Sequence, residues 1–129
     1  MSLPVTTVLA SCLAIWLIIL SIRVVRQRGS ASVSLADGGD ETLLRRIRAQ
    51  ANLTEYAPMM IILVGLAELQ DGNFYLIGFC AALFLAARLS HGYALSFSAH
   101  NPLGRVFGAG GSFAAIGIMA IYDLLLAVI

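Results

Sequence analysis

Long apolar stretches broken by short polar segments organise this chain into four prospective helices. Residues 3–22 contain no charged side chain, and about 20 apolar residues in helical form cross the roughly 30 Å hydrocarbon layer of a bilayer. The stretch closes on Arg23, Arg26 and Arg28, so a first helix is expected over about 3–26, followed by a loop of small turn formers at 29–39. Asp40 is placed to cap a second helix, and Glu41 puts an acid in its first turn, where the helix dipole favours negative charge. That helix is expected over about 40–69, polar in its first half and almost wholly apolar from Tyr56 to Ala67. Asp71, Gly72 and Asn73 form a turn signal, which makes the second and third helices antiparallel neighbours. The third covers about 73–97 and is interrupted by Arg88 and His91. Asn101 followed by Pro102 is a helix-start signature, asparagine as cap and proline where its missing N–H costs nothing, so a fourth helix is expected over about 102–128.

Composition turns these helices into membrane helices. Sixty per cent of the 129 residues are hydrophobic, the mean hydropathy is +0.90 and only 12% are charged, which is far too much apolar surface for a water-soluble domain. The expected fold is therefore all-α and integral to the membrane, one four-transmembrane-helix bundle over residues 1–129 with the lipid bilayer as its solvent. No basic residue precedes the first apolar stretch and no clear cleavage site follows it, so the first helix is expected to remain rather than be removed as a signal peptide. A net charge of +1 offers no basic excess for following a nucleic-acid backbone, and nucleic acid is not an expected partner. Cys12 and Cys80 each sit alone in an apolar run, and with only His91 and His100 besides them no metal site is expected.

All eight basic residues are arginine, whose guanidinium keeps its charge even at depth. Six lie between residues 23 and 48 and Arg105 lies at the 3–4 connection, which places the 1–2 and 3–4 loops on the cytoplasmic side and both termini opposite. Gly104, Gly108 and Ser112 recur every four residues, a stripe that lets the fourth helix approach a neighbour closely.

The polar residues inside the apolar stretches carry the functional signal. Arg48, Asn52 and Glu55 follow one another by four and three, one face of the second helix over two turns, with Arg45 a turn before them and Tyr56 leaning to the same side. Arg88 and His91 share a face of the third helix. Charges at bilayer depth cost about 2.5–3.5 kcal/mol each even on a lenient scale, so they need partners or water. A structural ion pair of Glu55 with Arg88 or Arg48 is one reading. The stripe, however, holds more positive charge than one glutamate neutralises, and the surplus suits a small zwitterion with net negative charge. Arg105 in the first turn of the fourth helix adds to a pocket for an anion. Gln50 and Arg46 point elsewhere on the second helix, with Arg46 expected at the solvated interface. Pro58 removes a backbone hydrogen bond and is expected to bend the second helix above Glu55.

The run from Arg48 through Ala49, Gln50, Ala51, Asn52, Leu53, Thr54, Glu55, Tyr56 and Ala57 to Pro58 resembles the second-helix signature of the membrane-associated proteins in eicosanoid and glutathione metabolism, the MAPEG family. The segments 37–40 and 87–93 resemble its bacterial branch, and the layout agrees over essentially the whole chain. In pattern the chain is similar to leukotriene C synthase and the microsomal glutathione transferases. The resemblance implies a homotrimer in the bacterial inner membrane that binds glutathione as co-substrate between neighbouring subunits. It implies that Arg48, Asn52, Glu55 and Tyr56 hold the tripeptide, with Gln50 a further contact, Arg88 the third-helix arginine, Tyr93 or His91 the aromatic contact, and Arg23 or Arg26 a carboxylate-binding arginine. Arg105 is the candidate for the thiol-activating arginine, although its spacing from Arg88 departs from that of leukotriene C synthase. The implied function is a glutathione-dependent transferase or peroxidase acting on lipophilic electrophiles or hydroperoxides. A non-catalytic module binding a lipid-like ligand, and a structural trimer whose pocket is only an ion-pair network, are the competing readings.

Overall fold

The computed structural model describes residues 2–98 and 100–128. Four helices follow in order: α1 Pro4–Ala31, α2 Glu41–Leu69, α3 Phe74–Ser96 and α4 Pro102–Val128. At about 1.5 Å per residue all four helices are longer than a bilayer's hydrocarbon core, and tilt or projection beyond it takes up the excess. α1, α3 and α4 are long and apolar enough to cross a membrane; α2 is set apart by its polar first half. The protein is an all-α integral membrane protein, a four-helix bundle.

Local chemistry explains the helix starts. The Asp40 carboxylate accepts from the backbone N–H of Leu43 at 2.6 Å and opens α2. Asn73 accepts from Tyr75 and Leu76, both at 3.1 Å, and opens α3. Asn101 accepts from Gly104 at 2.9 Å with Pro102 as the first residue of α4. The first helix differs from expectation, since it continues through Gly29 to Ala31 and ends on Ser32 in the left-handed region, φ 54°. Nothing crowds Gly29 there, and Arg28 donates to the carbonyl of Ala36 at 2.8 Å, folding the loop back on the extended helix end. α2 runs unbroken through Pro58.

α1 has no side-chain cap of its own, Leu3 standing at the capping position. Glu68, near the end of α2, supplies one from another helix. Its carboxylate accepts from the backbone N–H groups of Val5 at 2.9 Å and Thr6 at 2.8 Å, and from the Thr6 hydroxyl at 2.5 Å. This ties the α1 start to the α2 end, and the Tyr122 hydroxyl meets the backbone N–H of Asn73 at the same end of the bundle. At the other end Arg23 and Arg45 reach Ser96 and Ser98, so the 1–2 and 3–4 connections lie together.

Large side chains from all four helices interlock in the core, among them Leu20, Leu53, Met60, Val64, Phe84 and Met119. The outward faces stay apolar, with Ile15, Ile18 and Val25 on α1, Phe79 on α3 and Phe113, Ile121 and Leu124 on α4 all exposed. Such a surface is stable only against lipid or another apolar face. The small-residue stripe does what its spacing predicts. A Cβ placed on Gly108 would stand 2.4 Å from the His91 Cβ and 2.9 Å from the Ala87 carbonyl oxygen, so α3 and α4 are in backbone contact there.

Candidate functional site

The close α3–α4 crossing brings His91 to the first turns of α4, and α2 lays its polar half across the same opening. The result is a cavity of about 490 Å³. α2 lines it with Glu41, Arg45, Arg48 and Asn52; α3 with His91 and Leu95. The 3–4 connection and the start of α4 complete it with His100, Asn101 and Arg105. Three guanidinium groups thus face one carboxylate, so the cavity is strongly cationic. Arg105 and His91 also border a second opening of about 360 Å³ whose other walls include Val106 and Ala109. Arg105 therefore stands between a polar chamber and an apolar-walled mouth on the outer face of α4.

The structure brings together Arg48, Asn52, His91 and Arg105 from the predicted set, and it separates the others. Glu55 lies outside the cavity but is tied to it through Arg48, whose Nη1 stands 3.9 Å from the Glu55 carboxylate. Both side chains are about half exposed, 54% and 50%, so the α2 stripe is not buried within one subunit as its polarity had implied. The reason is geometric: α1 packs on the other side of α2, against Arg46 and Gln50, and the described residues leave the face that Arg48 and Glu55 share half exposed.

Arg88 is 3% exposed, one of its Nη groups donating to the Gly108 carbonyl, with the Tyr56 and Phe84 rings 5.3 and 5.8 Å from its guanidinium carbon. Its Nε and other Nη are buried without a hydrogen-bond partner. Tyr56 lies against this group and against Phe113 of α4, not in the cavity. Gln50 turns to α1 and donates to the Ser21 hydroxyl at 3.1 Å. Arg46 likewise packs on α1, donating to the Arg23 carbonyl at 3.2 Å, where the sequence pattern had suggested a solvated interfacial residue. Of the two aromatic candidates on α3, His91 faces the cavity and Tyr93 stacks on Phe97 at 5.3 Å on the α1 side. Of the two α1 candidates, Arg23 lies over the Phe97 ring at 3.6 Å and donates to Ser96, while Arg26 is exposed.

Sequence reasoning missed several polar residues. Glu41 and Asn101 were read only as helix-start residues, and His100 was given no role, yet all three line the cavity. Asp123 on α4 is 8% exposed with both carboxylate oxygens buried and unpartnered among the described residues. A lone acid in an otherwise largely apolar helix is the available signal for Asp123. No group of three or more potential metal ligands exists among the described residues.

Fold and site together define a small four-helix membrane protein with a cationic chamber at one end of the bundle. The family follows from sequence comparison: the MAPEG family model matches residues 6–125, and the chain belongs to the MAPEG family. It is also 35% identical over 80 residues to the inner membrane protein YecN of Escherichia coli strain K12, and equally to YecN of an O6:H1 strain. These alignments cover 62% of this chain and 61% of each relative, so the chain spans about three fifths of the length of the curated relatives it matches. No solved structure matches the chain.

Proposed function

We propose that the protein is a homotrimeric, glutathione-dependent transferase or peroxidase of the bacterial inner membrane, acting on lipophilic electrophiles or hydroperoxides. The observation that carries this reading is the position of Arg105, shared between the cationic chamber and the apolar-walled mouth. Glutathione has two carboxylates and one ammonium; Arg45, Arg48 and Arg105 match the first, and Glu41, with Glu55 beside Arg48, the second. Asn52 and His91 supply neutral polar contacts to the peptide. The uncovered faces of Arg48 and Glu55 support assembly, because half-exposed charges at bilayer depth need a neighbouring subunit or water beside them. The arginine-rich end is taken as cytoplasmic, and the name of the E. coli relative supports the inner membrane.

In this reading Arg105 lies beside the sulfur. A guanidinium there stabilises thiolate over thiol and lowers a thiol pKa that is otherwise about 8.5, the proton leaving to water. The thiolate attacks an electrophilic carbon presented from the lipid side, forming a C–S bond as the leaving group departs. Ultraviolet absorbance of the bound thiolate against pH, with turnover of a model aryl halide, tests this. Arg105→Ala is expected to raise the bound thiol's pKa and to slow conjugation about a hundredfold, with glutathione affinity within a few fold. An alanine variant with the parent's thiolate titration and turnover would remove Arg105 from the chemistry. A parent that binds glutathione, seen as a raised melting temperature, but shows no thiolate and no turnover would make the protein a non-catalytic binding module.

A further inference from the structure

A smaller cavity of about 170 Å³ lies between the first turn of α2 and the last turn of α3, next to the chamber described above, with Arg45 and Leu95 bordering both. Arg45 and Arg46 line it, with the hydroxyl-bearing residues Thr42, Ser96 and Ser98 and the edge of Phe97. Arg23 adjoins it through Ser96, donating from Nε to the Ser96 hydroxyl at 2.8 Å and from Nη2 to its carbonyl at 2.5 Å. We propose that this cavity is a binding site for the phosphate group of an anionic phospholipid.

Several independent features point the same way. No carboxylate lines the cavity among the described residues. The partners of Arg23 and Arg46 are carbonyls and a hydroxyl, which satisfy individual N–H groups but leave the positive charges uncompensated. The Nε of Arg46 is buried with no hydrogen-bond partner among the described residues, so this guanidinium is under-satisfied by its own surroundings. Guanidinium groups together with hydroxyls are the donor set that phosphate oxygens prefer, and the space suits a phosphate while being too small for a tripeptide. Location favours a lipid over free phosphate as the source. The cavity sits at the helix ends, with exposed Tyr93 and Phe97 beside it in the manner of interfacial aromatics, and with exposed Ile22 and Val25 flanking Arg23 as apolar surface for acyl chains. A choline headgroup would bring an ammonium into a cluster of arginines, which disfavours zwitterionic lipid.

The test uses the full chain, delipidated in a nonionic detergent and titrated with phosphatidylglycerol, phosphatidylcholine or inorganic phosphate, followed by native mass spectrometry and thermal melting. Phosphatidylglycerol is expected to be retained about tenfold better than phosphatidylcholine and to raise the melting temperature. Arg46→Gln is expected to lower that retention about tenfold, and Thr42→Val, a surface change that keeps side-chain shape, a few fold. Arg28→Gln, which removes an equal charge outside the cavity, is expected to leave retention unchanged. Equal retention of the two lipids, or equal losses in Arg46→Gln and Arg28→Gln, overturns the proposal by reducing it to general attraction between a basic protein end and acidic lipid. Stabilisation by millimolar inorganic phosphate that is abolished by Arg46→Gln, without a preference for phosphatidylglycerol, overturns the lipid source and assigns the same donors to free phosphate.

Discussion

Replacing Gly108 by alanine would test the contact on which the site geometry depends. The added methyl would meet the Cβ and Cα of His91 at 2.4 and 2.9 Å and the Ala87 carbonyl oxygen at 2.9 Å. Carbon atoms settle at about 3.5–4.0 Å, and two of the three obstacles are backbone, so α4 must move off α3 by on the order of 1 Å. Overpacking of this kind costs about 1–3 kcal/mol. The same shift pulls the Gly108 carbonyl from Arg88, a buried guanidinium with two further N–H-bearing nitrogens already unpartnered, and a charged hydrogen bond adds about 1.5–3 kcal/mol. The two losses share one displacement and do not simply add, so about 3 kcal/mol of destabilisation is expected. Gly110→Ala is the control, since nothing stands within 4 Å of a Cβ there and alanine favours the helix. Equilibrium unfolding of both variants in mixed detergent micelles reads the difference. If Gly108→Ala is as stable as Gly110→Ala, the α3–α4 approach is not the fixed contact described, and the position of His91 and Arg105 has another cause.

Two further outcomes concern the acids that do not line the chamber. Glu68→Gln leaves α1 with a weaker cap from α2 and is expected to cost about 1–2 kcal/mol, with amide exchange fastest at the first turn of α1; unchanged exchange there would show that the carboxylate is not the cap. Asp123→Asn removes a buried carboxylate with no partner among the described residues and is expected to be neutral or stabilising near pH 7 in the same unfolding assay, because no favourable interaction is lost. A loss above about 2 kcal/mol would mean that Asp123 has a partner outside the described residues.

The helix starts were legible because their causes are local. Asp40, Asn73 and Asn101 each act on backbone groups two or three residues away, well inside the reach of a sequence pattern. The α2 stripe was legible as a stripe, since helical periodicity fixes which residues share a face. What periodicity cannot give is where the neighbouring helix crosses that face. Arg48 and Asn52 reach the chamber while Glu55, one turn on, does not, and His91 faces it while Tyr93, only two residues later, lies on the α1 side. The Glu68 cap was hidden for a related reason: its acceptors and donors are more than 60 residues apart in the chain, and only the fold brings them together.

The cationic character of the chamber end follows from how the bundle uses its arginines. Arg23 and Arg45 take carbonyls in the last turn of α3 and just beyond it, and Arg88 takes the Gly108 carbonyl inside α4. The bonds to the end of α3 serve helix geometry, because carbonyls at a helix C-terminus lack partners within the helix and the dipole there favours cations. A carbonyl carries only partial charge, however, so the bonds of Arg23 and Arg88 order a guanidinium without cancelling its charge. At the opposite end Glu68 serves the complementary need, a carboxylate on the free N–H groups of α1. Asp37, Asp40 and Glu41 also lie at the arginine end but are outnumbered there, and the Arg48–Glu55 contact is the ion pair seen among the described residues. The excess of arginines over acids at that end is ordered by the fold, which makes the end receptive to anions before any particular ligand is considered.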